Sequence, residues 1–208
     1  MLSTRNTYFL KLISVNFLFN YSMSFTQISH DYLESLEKTH ILLFHEKQKS
    51  AEQIEFKFIQ FGLEKNHRCF YTTNEPHKLK ERMKDFGILV EKNISNKLLN
   101  IVPIPKTFEE YEKMIEEKVA SLPKNEVIRV VSTHYFDFDN ERKTESMQKI
   151  EQWVDDNFEK IPGNFICSFH IPNMKKDVAS NFMKNLLDSH HSVLILTGDD
   201  KVEKFNFP

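Results

Sequence analysis

The stretch "HILLFHEKQKS", His40–Ser50, reads as a buried strand, a polar turn and the start of a helix. In many nucleotide-binding α/β proteins a glycine-rich loop wraps a phosphate at this corner. Here the corner contains no glycine. A phosphate cradle needs glycines so that backbone N–H groups can approach the anion, and a lysine to reach it. The whole chain holds only Gly62, Gly87, Gly163 and Gly198, and none is followed by Lys and then Ser or Thr. Neither G-x-x-x-x-G-K-[ST] nor G-x-G-x-x-G occurs. Glu46 in the turn and Glu52 in the first turns of the helix suit the helix dipole and occupy the positive potential an anion would use. The corner therefore argues against phosphate binding and against ATP hydrolysis by the P-loop route.

Outward from this corner, short apolar runs alternate with longer stretches of helical period, the pattern of βαβ units. Strands are expected at Ile41–His45, Cys69–Thr73, Leu99–Ile104, Val127–Thr133, Phe165–Ile171 and Val193–Thr197. Several are apolar on both faces, as strands covered by helices on both sides should be. Ser50 with Gln53, and Thr107 with Glu110, fit capping boxes. Asn74 can cap a helix that carries Pro76 in its first turn and stops at Gly87. A fourth helix presents Met147, Ile150, Val154 and Phe158, and a fifth, after Pro172, presents Val178, Phe182 and Leu186. The tail "VEKFNFP" can add a short edge strand. Right-handed crossovers turn this string into a three-layer α/β/α fold with a mostly parallel central sheet of six to seven strands.

The chain has 208 residues, 40% of them apolar and 19 of them Phe, which is enough for one core of ordinary size. Lys plus Arg number 28 against 30 Asp plus Glu, so the clear basic excess of a nucleic-acid binder is missing. Runs such as "KLKERMK", Lys78–Lys84, read as solvated helix faces. Cys69 and Cys167 form neither a metal signature nor a disulfide framework and read as small buried hydrophobes in a reducing compartment. The segment "YFLKLISVNFLF", Tyr8–Phe19, is broken by Lys11, Ser14 and Asn16 and is too short to span a bilayer. Residues 1–22 are set apart as an extension, translation starting at Met1 or at Met23; residues 23–39 are expected to hold an amphipathic helix, and 40–208 the domain itself. A cytoplasmic location is expected, with no membrane partner and no direct nucleic-acid partner.

In open parallel sheets, ligands sit beyond the carboxyl ends of the strands. That edge collects His45, Glu46, Thr73, Glu75, Thr133, His134 and His170, with Asp137 just past the fourth strand. Three histidines, His45, His134 and His170, end strands that can be neighbours, so imidazoles could converge there on a divalent metal or a small anion. The plainer reading is three polar strand ends bonded to nearby loops, since no spacing motif links them. His190 and His191 precede a strand and so belong to the opposite edge, in structural or exposed roles. No G-x-S-x-G elbow, H-E-x-x-H or paired-cysteine motif is present, no catalytic residue is assigned, and no cofactor is expected.

The stretch from His40 to Pro76 resembles the opening of the MEDS domain, the sensory module named after methanogens, methylotrophs and the regulator DcmR. The positions that carry the likeness are His40, Phe44, Glu46, Gly62, Leu63, Cys69, Tyr71 and Glu75, followed by "FICSF" at Phe165–Phe169 and the closing "HSVLILTGD". The resemblance implies a RecA/KaiC-like fold whose phosphate loop is lost. It also implies a sensory role, with a histidine kinase or a transcriptional regulator as output partner and an unknown small molecule as ligand. His45 stands where that family commonly has an aromatic residue, and His170 where Asp often follows an aromatic one. The expected function is a non-catalytic sensory domain that acts through a separate output protein and can self-associate. The alternatives are a metal-dependent hydrolase or a residual nucleotide binder using the same edge.

Overall fold

The computed structural model describes residues 24–27, 30–105, 107–123, 126–134, 141–170, 185–196 and 202–206. The strands are β1 (Ser24–Gln27), β2 (His40–His45), β3 (Arg68–Thr72), β4 (Leu99–Val102), β5 (Ile128–His134), β6 (Gly163–His170), β7 (Ser192–Leu196) and β8 (Val202–Asn206). The helices are α1 (His30–Glu34), α2 (Gln48–Glu64), α3 (Pro76–Phe86), α4 (Val90–Ser95), α5 (Phe108–Ala120) and α6 (Glu141–Asn157), with a 3₁₀ turn at Phe158–Lys160. All eight strands form one sheet in the order β1-β8-β7-β2-β6-β5-β3-β4. The six strands from β7 to β4 run parallel, and β8 and β1 add antiparallel pairs at one side. The expected mostly parallel α/β sheet is therefore present, with the tail strand β8 in it and β1 as one strand beyond the expected seven.

Both faces of the sheet are covered, which explains the continuous apolar runs. Ile41 and Leu43 of β2 face one side with Cys69, Tyr71, Val131 and Ile166, packing under α2, α3 and α4. Phe70, Val130 and Phe165 face the other side under Tyr111 and Ile115 of α5 and Ile150 and Val154 of α6. Leu42 and Phe44 are fully buried as well, so β2 exposes neither face to water.

Four local expectations are corrected. Residues 23–39 are not one helix: Ser24–Gln27 pairs with β8, and only His30–Glu34 is helical. Thus the tail strand β8 is no edge strand, because β1 lies outside it. The helix α2 begins at Gln48 with Lys47 as its N-cap and no side-chain cap, rather than at a Ser50 capping box. Glu75, not Asn74, is the N-cap of α3, and the Thr73 hydroxyl accepts the Glu75 N–H at 3.0 Å instead. By contrast, Gly87 ends α3 at φ 105°, and the Thr107 hydroxyl accepts the Glu110 N–H at 3.2 Å at the start of α5. The expected fifth helix and residues 1–22 lie outside the described residues, apart from a helical turn at 185–188. Among the described residues, no helix is long and apolar enough to cross a membrane.

Candidate functional site

The central strand pair β2 and β6 sits at a change of direction. From β2 the chain proceeds to β3, beyond β6 and β5, whereas from β6 it proceeds to β7, on the far side of β2. Connections leaving in opposite directions open a crevice at the carboxyl ends, where open α/β sheets bind ligands. His45 and His170 are register partners across this pair, and their ring centroids lie 5.3 Å apart. His45 is only 4% exposed. Burial, reinforced by His170, lowers its pKa to about 4, so the ring is neutral at physiological pH. Nδ1 of His45 meets no hydrogen-bond partner among the described residues, although the ring engages the backbone at Lys47. His170 Nε2 lies 3.0 Å from the Glu46 carbonyl oxygen and donates to it, tying β6 to the corner.

That corner is short. Only Glu46 and Lys47 separate the end of β2 from the first residue of α2. Lys47 is extended at φ −125° and ψ 120°, so the chain turns directly into the helix without a wrap around an anion. Behind it, Glu52 accepts Gln48 Nε2 at 2.8 Å and pairs with Arg82 Nε at 2.9 Å.

Of the other expected residues, Thr73 and Glu75 stand apart from the two histidines. Thr73 and Glu75 follow β3, which is separated from β2 by β6 and β5. Glu75 is exposed and pairs with Lys78 at 2.6 Å, which holds its pKa below the usual carboxylate range. Thr133 on β5 donates its hydroxyl to the Thr72 carbonyl at 2.7 Å, and so belongs to the sheet's own bonding. His134 stands opposite Phe169 in register. The His134 side chain and Asp137 lie outside the described residues.

A second constellation lies at the other end of β2. His40, Glu151, Cys167 and His190 are all buried, and they come from β2, α6, β6 and the segment before β7. Their ligand-type atoms all fall within 4.8 Å of one another. His40 Nε2 is 3.3 Å from Cys167 Sγ and 3.7 Å from Glu151 Oε2, and His190 Nε2 is 3.4 Å from the same oxygen. The two imidazoles stack at 3.8 Å. Burial pushes the Glu151 carboxyl up to about 8 and the Cys167 thiol well above its ordinary value, while it holds His40 well below. Sequence reading placed His190 at this edge but missed the group. Its members are far apart in the chain and share no spacing motif; the one usable signal was that polar His40 opens an otherwise apolar strand.

The strand order and the covered parallel sheet define a KaiC-like α/β fold, and known structures share it. A KaiC-like protein from Pyrococcus horikoshii OT3 superposes with a TM-score of 0.58 at 15% identity, covering 82% of this chain and 78% of that one. The flagellar accessory protein FlaH from Methanocaldococcus jannaschii gives 0.54 at 11% identity, covering 89% and 87%. At these identities the likeness concerns the fold alone. Residues 39–191 match the family described as MEDS, the MEthanogen/methylotroph, DcmR Sensory domain. The match spans well over half of the chain, and the chain belongs to that family. No curated protein matches it.

Proposed function

We propose that the chain is a non-catalytic sensory domain that holds a small molecule at the carboxyl edge, over the His45–His170 pair, and transmits its occupancy to an output protein. Membership of a sensory family supports the coarse role. The observation that supports the site is the buried Nδ1 of His45, which meets no hydrogen-bond partner among the described residues, at the strand pair where the connections diverge. A buried ring kept neutral favours an uncharged, hydrogen-bonding ligand over an ionised one, because an unpaired charge would carry a large desolvation cost there. The short corner and the missing glycines argue in the same direction, against a triphosphate.

Thermal-shift screening of the purified chain with small alcohols, amides and nucleosides tests this reading. A ligand at about 100 times its Kd stabilises by about 2.7 kcal/mol, a shift of several degrees. The expected result is a compound that raises the midpoint of the wild type and fails to do so in H45F and H170F. A compound that stabilises both variants as much as the wild type would place the binding elsewhere.

A further inference from the structure

We infer that His40, Glu151, Cys167 and His190 bind one divalent first-row transition ion, and that zinc is the ion this set fits. Four donors of the right kinds, two imidazoles, a thiol and a carboxylate, converge from four separate elements into a buried place. Zn–N, Zn–O and Zn–S bonds of about 2.0 to 2.3 Å place tetrahedral ligands about 3.3 to 3.8 Å apart. Separations of 3.3, 3.4 and 3.7 Å within the group fall in that interval, and all four ligand atoms lie within 4.8 Å of one another. The last two are longer than an ordinary hydrogen bond between nitrogen and oxygen.

An independent observation concerns the far side of each ring. His40 Nδ1 lies 3.1 Å from the Ser189 carbonyl oxygen, and His190 Nδ1 lies 2.6 Å from that of Leu186. A carbonyl oxygen only accepts, so each Nδ1 carries the hydrogen and each Nε2 turns its lone pair toward the centre. Metal-binding histidines are held in this way, with the second nitrogen donating to a backbone carbonyl. Without a metal, two acceptor nitrogens face a thiol and a carboxyl group that must keep their protons to satisfy them. One cation satisfies all four donors together, and the thiol and carboxyl protons both pass to solvent as the sulfur and the carboxylate oxygen bind. Nitrogen and sulfur donors exclude magnesium and calcium as the natural occupants. A cleft of about 450 Å³ beside α6, lined by Trp153, Asn185, Leu186 and Ser189, also has Glu151 in its wall and offers a way in.

The site lies at the amino-terminal end of β2, away from the His45–His170 edge, and does not depend on the ligand proposed there. Four protein ligands make a closed set, the arrangement of an ion that stabilises or reports rather than one that activates water.

The test uses the full chain without an affinity tag, stripped with a chelator and titrated with Co²⁺ and then Zn²⁺. The expected result is one Co²⁺ per chain, visible bands of tetrahedral intensity and a thiolate-to-cobalt charge-transfer band, all bleached by one equivalent of Zn²⁺. C167S should lose the charge-transfer band, and E151Q and H190N should each weaken Zn²⁺ binding by about tenfold or more. H77N, a change at an exposed histidine of α3, should leave stoichiometry and affinity as in the wild type. E151Q retains the thiol, so it reads the site even if C167S folds poorly. An absent cobalt spectrum, a charge-transfer band that persists in folded C167S, or unchanged affinity in E151Q and H190N would overturn the assignment.

Discussion

Glu55 carries an acid into the apolar layer between α2 and the sheet, where it is buried and accepts the Tyr71 hydroxyl. Burial raises its pKa from 4.5 to about 7; hydrogen bonds from Ser168 and Tyr71 pull it down, Glu52 adds to the rise, and Arg82 opposes it. The folded chain keeps this proton up to about pH 7, while the unfolded chain releases it near pH 4.5. Between those values the unfolded state binds fewer protons, so stability falls as pH rises. The group's contribution is complete below about pH 4.5 and lost through pH 7, by an amount on the order of 3 kcal/mol at most. The informative quantity is the difference between wild type and E55Q, which isolates this group from other buried acids. Urea unfolding at pH 4.5 and 7.5 should show the wild type losing more stability than E55Q over that interval; parallel losses would contradict the assignment. At this scale the sequence was only partly legible. His45 and His170 could be read because both end apolar strands, whereas Glu55, Glu151 and Arg129 looked like ordinary helix or strand residues until packing turned them inward.

At the scale of elements, Arg129 of β5 links α1, α2 and the sheet. It is wholly buried, donates to the carbonyls of Leu33 at 3.1 Å and Phe58 at 3.0 Å, and lies over the Phe58 ring at 4.8 Å. Carbonyls at the end of a short helix suit a guanidinium, because they carry the negative end of its dipole. The Arg129 stem passes close to α2 at Gly62: a Cβ there would come within 2.7 Å of Arg129 Cδ and of Cys69 Sγ. Ala is the better helix former by about 1 kcal/mol. Overpacking costs about 1 to 3 kcal/mol and should prevail. G62A is therefore expected to lower stability in urea by up to about 2 kcal/mol, and a gain in stability would show that the close approach is not tight. Element types were legible where a local rule decided them, as with the Thr107 cap of α5 and the Gly87 stop of α3. They were not legible where pairing decided them. Ser24–Gln27 reads with the helical segment that follows it, yet β8 supplies a strand for it to pair with. Such tertiary override of local propensity is the ordinary source of these differences.

For the whole molecule, the α/β class followed from alternating runs, but the strand order could not. Order depends on which crossover skips which strand, and here β2 and β3 are separated by β6 and β5 although they follow each other in the chain. That skipped order brings His45 beside His170 at one end of the central pair and His40 beside Cys167 at the other. The fold is thus shared with KaiC-like proteins, while the corner after β2 has two connecting residues and no glycine. A sensory domain built this way should bind without turning over nucleotide. The most direct test is steady-state phosphate release from Mg·ATP by the purified full chain, with equilibrium ATP binding measured on the same preparation. Release no faster than in buffer and no saturable binding of ATP are expected. Turnover that disappears when Lys47 or Ser50 is replaced by Ala would contradict it.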